Sequence, residues 1–103
     1  MVKYRRVVAL SPRFRRHVPP TILVVPLSTT APTPVEPCHY ELMDRYESLS
    51  AKSIWVKGNM LSHVSLGRLY PIFSRGRIIT VSLSLHDLVG TRSAVSHALG
   101  LHY

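Results

Sequence analysis

Apolar residues in the first part of the chain fall in short runs that predict β-strands. Residues 7–10 form a β-branched run that ends at Ser11-Pro12, which predicts a strand over residues 5–10 followed by a loop. Residues 21–27 are apolar at almost every position, so we expect a central strand covered on both faces. Pro26 has no N–H group to donate, so the pairing of this strand should break or bulge beside it.

The middle of the chain contains shorter segments with strand-like alternation. Gly58 interrupts one of them and predicts a bulge, because a residue without Cβ tolerates unusual backbone torsions. Residues 28–37 are rich in proline and threonine and predict a stiff, extended loop. The segments predicted as strands are residues 39–42, residues 53–57 with a continuation over 59–64, and a hairpin of residues 68–73 and 77–83 around a turn at 74–76.

The spacing of apolar positions becomes helical after residue 84, which predicts one C-terminal α-helix. Ser84 and Asp87 have the spacing of a capping box at its start, and Gly100 lies where glycine often ends a helix. The residues expected on the buried face of the helix are Leu85, Leu88, Val89, Val95, Ala98 and Leu99.

These elements predict one mainly β domain over residues 1–103, a small barrel with the C-terminal helix packed on it. A composition of 46% hydrophobic and 17% charged residues is that of a folded chain. The hydrophobic pattern alone leaves two other folds open, an OB-like barrel and a ferredoxin-like α+β fold.

The charge balance points to a polyanionic partner. Thirteen Lys and Arg residues against five acids leave a net charge of +8, which favours nucleic acid over the alternative of a solvated basic surface. Cys38 is the single cysteine, so no disulfide forms within the chain, and a reducing cytoplasmic location is expected. The longest apolar stretch, residues 22–27, is far too short to span a bilayer, so no membrane association is expected.

Metal and cofactor chemistry have little support in the sequence. The chain has no glycine-rich phosphate loop and no Cys/His spacing of a metal site, so we expect neither cofactor nor metal. Its five acids are scattered, whereas two-metal nucleases need clustered carboxylates. If the protein cuts RNA, we therefore expect a metal-free route in which the RNA's own 2′-OH is the nucleophile.

Three groups of residues and the single tryptophan could contact RNA, and each has a plainer interpretation. Arg5-Arg6 could bind phosphate or could be solvated, and Ser28-Thr29-Thr30 could orient a phosphate or form a Ser/Thr turn. The loop at residues 13–17 interleaves basic residues with Phe14 and could be an RNA contact or a solvated loop. Trp55 could stack on a base, but a single tryptophan on an alternating strand is more often a core residue.

Four segments, taken in order, resemble the MazF/PemK family of type II toxin–antitoxin ribonucleases. Residues 4–12 are similar to the family's arginine-led strand that ends in Ser-Pro, and residues 24–30 to its Val-Pro-(Leu/Ile)-(Ser/Thr) segment. Residues 38–42 and 55–61 resemble its next two strands, and the ending at 97–101 also recurs in the family. The resemblance covers nearly the whole chain.

The resemblance implies an SH3-like β-barrel of the type shared with CcdB, a homodimer, and metal-independent cleavage of single-stranded RNA at a short sequence. It further implies a cognate antitoxin with an acidic, disordered tail. The family's catalytic arginine falls on Arg5 and its catalytic threonine on Ser28, with Thr29 beside it. The residues that we expect to contact RNA are Lys3, Arg6, Arg13, Arg15, Arg16, His17, Lys57 and Asn59.

The chain departs from the family in two places. Arg6 stands where the family usually has proline, and the family's opening strand has no counterpart ahead of Arg5. The missing strand leaves the alternative of a catalytically inactive homologue that binds RNA or an antitoxin. A second alternative is a gyrase inhibitor, as in the CcdB relatives that share this barrel.

Overall fold

A computed structural model describes residues 6–11, 20–46, 49, 53–70, 72–74, 77–79 and 82–101 of the chain. Within these residues the chain is mainly β with a C-terminal helix, as predicted. Two one-turn 3-10 helices cover Gly58–Met60 and Leu66–Arg68. The strands and the helix are β1 (Val7–Ala9), β2 (Thr21–Ser28), β3 (His39–Glu41), β4 (Trp55–Lys57), β5 (Ser62–Ser65), β6 (Ile72–Ser74), β7 (Arg77–Ile79) and α1 (Leu85–Ala98).

Strand β2 is the centre of an antiparallel sheet, as its apolar sequence predicts. One edge of β2 pairs with β1, and the other pairs with β5 over its first half and with β4 at its end. Strand β3 then pairs with β4, while β6 and β7 form a separate hairpin, shorter than predicted. Among the described residues the sheet is not closed into a barrel, so the SH3-like barrel stays a prediction.

The strand predicted to run through Gly58 is broken there by a turn of 3-10 helix. Between the pairs Leu27↔Val56 and Val24↔Ser62, β2 advances three residues while the opposite strand advances six. The 3-10 turn takes up the extra residues, so the strand predicted over 59–64 is wrong in its first part. Gly58 is needed at this break because a Cβ there would lie 2.8 Å from the backbone of Ala94 in α1.

The interruption of the ladder coincides with Pro26, as its missing N–H predicts. The N–H of Leu27 donates to the carbonyl of Arg6 across the β1 edge at 2.9 Å. Backbone groups alternate between the two edges of a strand, so the nitrogen of Pro26 faces the β4–β5 edge. That edge is where the 3-10 turn replaces the ladder, so no sheet hydrogen bond is lost to the proline.

Helix α1 begins and ends as predicted, but only part of the face predicted to be buried is covered. Ser84 Oγ accepts a hydrogen bond from the N–H of Asp87 at 3.3 Å, and Gly100 has the positive φ of 70° typical of a helix-ending glycine. Val95 packs against the core and Leu88 is half-buried, whereas Ala98 is exposed. The predicted apolar residues Leu85, Val89 and Leu99 are 77%, 59% and 55% exposed. The buried residues of the helix are Asp87, Thr91 and Ala94.

Close packing explains why small and polar residues are buried in α1. The helix lies against β3, β4 and the 3-10 turn, and a Cβ on Gly90 would overlap the ring of Tyr40. Only small side chains fit at such a short distance between backbones. The apolar core beneath the helix is formed by Val25, Leu42, Ile54 and Val56.

Candidate functional site

Only part of the predicted site lies within the described residues. The predicted catalytic Arg5 lies outside them, as do five predicted RNA contacts: Lys3, Arg13, Arg15, Arg16 and His17. The predicted residues that the structure describes are Arg6, Ser28, Thr29, Lys57 and Asn59.

Alternation of side chains divides β2, β4 and β3 into two faces. Val56 is fully buried, and its partner Tyr40 lies against Gly90 of α1, so both residues mark the face toward the helix. The residues that alternate with them are therefore on the opposite side of the sheet. We call that side the outer face. Where the three strands meet, its residues are Ser28, His39, Glu41, Trp55 and Lys57, and farther back along β2 the same side carries the buried Ile22 and Val24.

The outer face brings two predicted residues, Ser28 and Lys57, around Trp55. Ser28 and Glu41 both pair directly with Trp55, so these three residues form one row across the strands. Directly paired residues have Cβ atoms about 4.5–5.5 Å apart. Lys57 and His39 form the next row, and the exposed Asn59 follows in the 3-10 turn.

The hydroxyl of Ser28 closes a Ser/Thr turn at the end of β2. Its Oγ accepts a hydrogen bond from the N–H of Thr30 at 3.1 Å and donates to the carbonyl of Thr30 at 3.3 Å. These two bonds fix the position of the hydroxyl. Both lie near the protein surface, so a ligand oxygen can replace the carbonyl of Thr30 as the acceptor of the 3.3 Å bond. Thr29, the adjacent hydroxyl residue, is exposed.

The side chain of Arg6 lies on the side of the sheet opposite Ser28. Its carbonyl pairs with the N–H of Leu27, whose side chain packs against the core. Residues that pair directly share a face, so the exposed side chain of Arg6 starts from the helix side. The structure therefore does not bring Arg6 together with Ser28.

His39 is held at the edge of the outer face by its own turn. The ring Nδ1 of His39 accepts a hydrogen bond from the backbone N–H of Glu36 at 3.0 Å, and the backbone N–H of His39 donates to the carbonyl of Glu36 at 2.9 Å. An Nδ1 that accepts a hydrogen bond leaves the proton of the neutral ring on Nε2. His39 thus keeps Nε2–H as a donor on the outer face.

A buried carboxylate network, which the sequence did not reveal, lies on the helix side of the sheet. Asp87 is fully buried, and its carboxylate accepts hydrogen bonds from the Tyr40 and Tyr46 hydroxyls at 2.7 and 2.6 Å. The N–H groups of Met43 and Asp44 also donate to it, at 2.9 and 3.1 Å. The network ties the start of α1 to β3 and to the loop after it.

Hydrogen bonding decides the ionisation of this network. Burial works to raise the pKa of Asp87, but the four donors outweigh it and hold that pKa below its ordinary value. Burial and the hydrogen bond to Asp87 raise the pKa values of both Tyr40 and Tyr46. The aspartate is therefore ionised and both phenols are neutral near neutral pH, which suits a structural cross-link rather than proton transfer.

The lowered pKa of Asp87 predicts acid sensitivity with a defined sign. The unfolded chain takes up this proton near pH 3.8 and the folded chain only at lower pH, so the stabilisation is complete above about pH 5. It is lost as the pH falls through 3.8 toward the folded pKa. Urea unfolding measured from pH 7 to pH 2.5 should show this decline. Tyr40→Phe removes one donor to Asp87, so the free energy of unfolding of this variant should decline less steeply with falling pH. Equal slopes would contradict the assignment of the acid sensitivity to Asp87.

Comparison with known proteins gives one informative likeness. No family model matches the chain, and no curated protein does. Among solved structures, the chain is similar to an endoribonuclease in complex with its cognate antitoxin from Mycobacterial species, with 18% identity and a TM-score of 0.68. The likeness covers 96% of this chain and 84% of that one, and it shows a shared fold.

No helix among the described residues is both long and apolar enough to cross a membrane. In the same part of the chain, no three His, Cys, Asp or Glu side chains converge as metal ligands would.

Proposed function

We propose that this chain is the toxin of a type II toxin–antitoxin system and cleaves single-stranded RNA at a short sequence without a metal. The single observation that carries the proposal is the position of Ser28, a hydroxyl at the end of the central strand, directly after Leu27, whose N–H donates to the carbonyl of Arg6. The net charge of +8 and the fold shared with an endoribonuclease support the same assignment.

The proposed reaction uses the RNA's 2′-OH as the nucleophile. The 2′ oxygen forms a bond to the adjacent phosphorus and loses its proton, the bond from phosphorus to the 5′ oxygen breaks, and that oxygen gains a proton. The products are a 2′,3′-cyclic phosphate and a 5′-hydroxyl. Negative charge accumulates on the phosphorane, so the protein must place donors at its non-bridging oxygens.

We assign that stabilisation to Arg5 and Ser28. Arg5 is bonded to Arg6, and the backbone of Arg6 pairs with Leu27, the residue before Ser28. A guanidinium presents a fixed fork of donors that matches phosphate oxygens. Ser28 exchanges its 3.3 Å bond to the carbonyl of Thr30 for a phosphate oxygen, and Thr29 lies next to it as a second hydroxyl.

The remaining predicted contacts hold the RNA on either side of the reacting phosphate. Lys57 on the outer face and Asn59 just beyond it are two described residues in this role. We propose that Lys3, Arg6 and the residues Arg13, Arg15, Arg16 and His17 add phosphate contacts, since basic side chains supply most of the affinity for nucleic acid.

The assembly and cellular setting of the protein are part of the same proposal. We propose that the sheet closes into an SH3-like barrel, that two chains form a homodimer, and that the protein acts in the cytoplasm. A cognate antitoxin with an acidic disordered tail would cover the basic surface that otherwise receives RNA. The solved neighbour, which is in complex with its antitoxin, supports such a partner.

Incubation of the purified chain with end-labelled single-stranded RNA in EDTA tests the proposal. We expect a small number of discrete fragments, and a double-stranded RNA of the same sequence should stay intact. Single-stranded RNA that also stays intact would overturn the enzyme assignment. Binding without cleavage would instead indicate an inactive homologue, and inhibition of gyrase supercoiling would indicate the CcdB-like activity.

A further inference from the structure

Trp55 lies on the opposite side of the sheet from the core, although its residue type suggested a core position. Val56 and Ile54, its neighbours along the chain, are both buried in the core beneath α1. Trp55 alternates with them, is half-buried, and is the single tryptophan of the chain. Part of the indole therefore stays accessible, and an accessible aromatic ring is a surface on which a base can stack.

The neighbours of Trp55 on the outer face define which ligand suits its ring. Ser28, the proposed phosphate contact, is its direct partner on one side and Glu41 on the other. Lys57 follows on the same strand and the same face. The carboxylate of Glu41 repels phosphate, whereas Ser28 and Lys57 attract it. The ring thus lies between a position suited to the sugar–phosphate backbone and a position that excludes phosphate, which suits a base.

We infer that Trp55 is a stacking platform for one base of single-stranded RNA, the base next to the phosphate held at Ser28. The inference rests on the proposed function for the identity of the ligand. The hydroxyl and the ring share one row of the sheet, with Cβ atoms about 5 Å apart. A phosphate at Ser28 would therefore place an attached, unpaired base over the indole. Such stacking is tolerant of sequence because every base has a π-face.

Because Trp55 is the only tryptophan, its own fluorescence reports on this contact. The probe is a 2′-O-methyl RNA decamer, which lacks the nucleophile and stays intact, carrying a fluorescein for anisotropy. We expect saturating quenching of tryptophan emission with the same midpoint as the anisotropy change. An abasic decamer of equal charge should bind with little quenching, and a polyglutamate peptide should quench no more than the abasic decamer.

Two variants of Trp55 separate stacking from packing. Trp55→Leu keeps apolar bulk but removes the π-face, and it should weaken decamer binding by about 5- to 100-fold. Trp55→Phe keeps an aromatic ring, and its affinity for the decamer should stay within a few-fold of that of the original chain. Thermal unfolding of both variants establishes that each is folded in the binding assay.

The outcomes distinguish this inference from the proposed function. Decamer binding without quenching, equal quenching by the abasic decamer or by polyglutamate, equal affinities of the Leu and Phe variants, or no decamer binding would each overturn the stacking platform. If RNA is cleaved and any of these results is found, the proposed nuclease activity stands and only the stacking role of Trp55 is rejected. If the decamer quenches tryptophan emission but ordinary RNA is not cleaved, the stacking role of Trp55 stands and the nuclease activity is rejected.

Discussion

Replacing Asp87 by alanine is expected to destabilise the chain by roughly 4 kcal/mol or more, the largest effect on folding that the structure predicts. The change removes the carboxylate that accepts from four donors: the hydroxyls of Tyr40 and Tyr46 and the N–H groups of Met43 and Asp44. The Tyr46 hydroxyl keeps a longer bond to Ser84 Oγ at 3.3 Å, and the other three donors lose the acceptor they had. Each unsatisfied buried donor costs about 1–3 kcal/mol. Small domains are stable by only about 5–15 kcal/mol in total.

Asp44→Ala is the matched control for this experiment. It removes the same charge from the same region, but the Asp44 side chain is exposed and its backbone N–H still donates to Asp87. We expect a change within about 0.5 kcal/mol for this surface substitution. Urea unfolding followed by circular dichroism compares the two variants. Equal stabilities would show that the Asp87 network does not hold α1 on the sheet.

Replacing Arg5 by alanine is expected to slow RNA cleavage by about 100- to 1,000-fold, the largest effect on activity. The proposed guanidinium stabilises charge that appears only in the phosphorane, so the loss should fall on the rate of the bound complex rather than on binding. Single-turnover kinetics with saturating protein measure that rate directly. Urea unfolding of the variant checks that the fold is unchanged.

Arg6→Ala is the natural comparison because it removes the same charge one residue away. The Arg6 carbonyl would still pair with Leu27, and its side chain starts from the helix side of the sheet, away from Ser28. We expect it to weaken RNA binding in a salt-dependent way and to leave the rate of the bound complex within about tenfold. Equal losses of rate in both variants would mean that charge alone, and not the placement of Arg5, explains the effect.

The strand pattern and both ends of the helix were predictable because they depend on neighbouring residues. The serine cap, the glycine after α1 and the break at Pro26 each follow from local backbone chemistry. The buried face of α1 was not predictable from apolar spacing. It is set by how closely the helix approaches Tyr40 and the 3-10 turn, which only the folded chain reveals.

The candidate site was predictable only in part, for a related reason. The end of β2 points to Ser28, but nothing local connects Asp87 with Tyr40 and Tyr46, which are 47 and 41 residues away. The side of the sheet on which Trp55 lies could have been predicted from its neighbours, although a tryptophan by itself suggests a core position. Its neighbours on the same face, Ser53 and Lys57, are polar, whereas Ile54 and Val56 alternate with it and are apolar.

The chemistry of the RNA ends distinguishes attack by the 2′-OH from hydrolysis by water. RNA is incubated with the purified chain in EDTA, and the fragments are treated with polynucleotide kinase and labelled ATP, with and without prior phosphatase. We expect the downstream fragments to label without phosphatase, because their 5′ ends are hydroxyls, and the upstream fragments to end in a 2′,3′-cyclic phosphate. Downstream fragments that label only after phosphatase would carry 5′-phosphates, and that result would contradict attack by the 2′-OH.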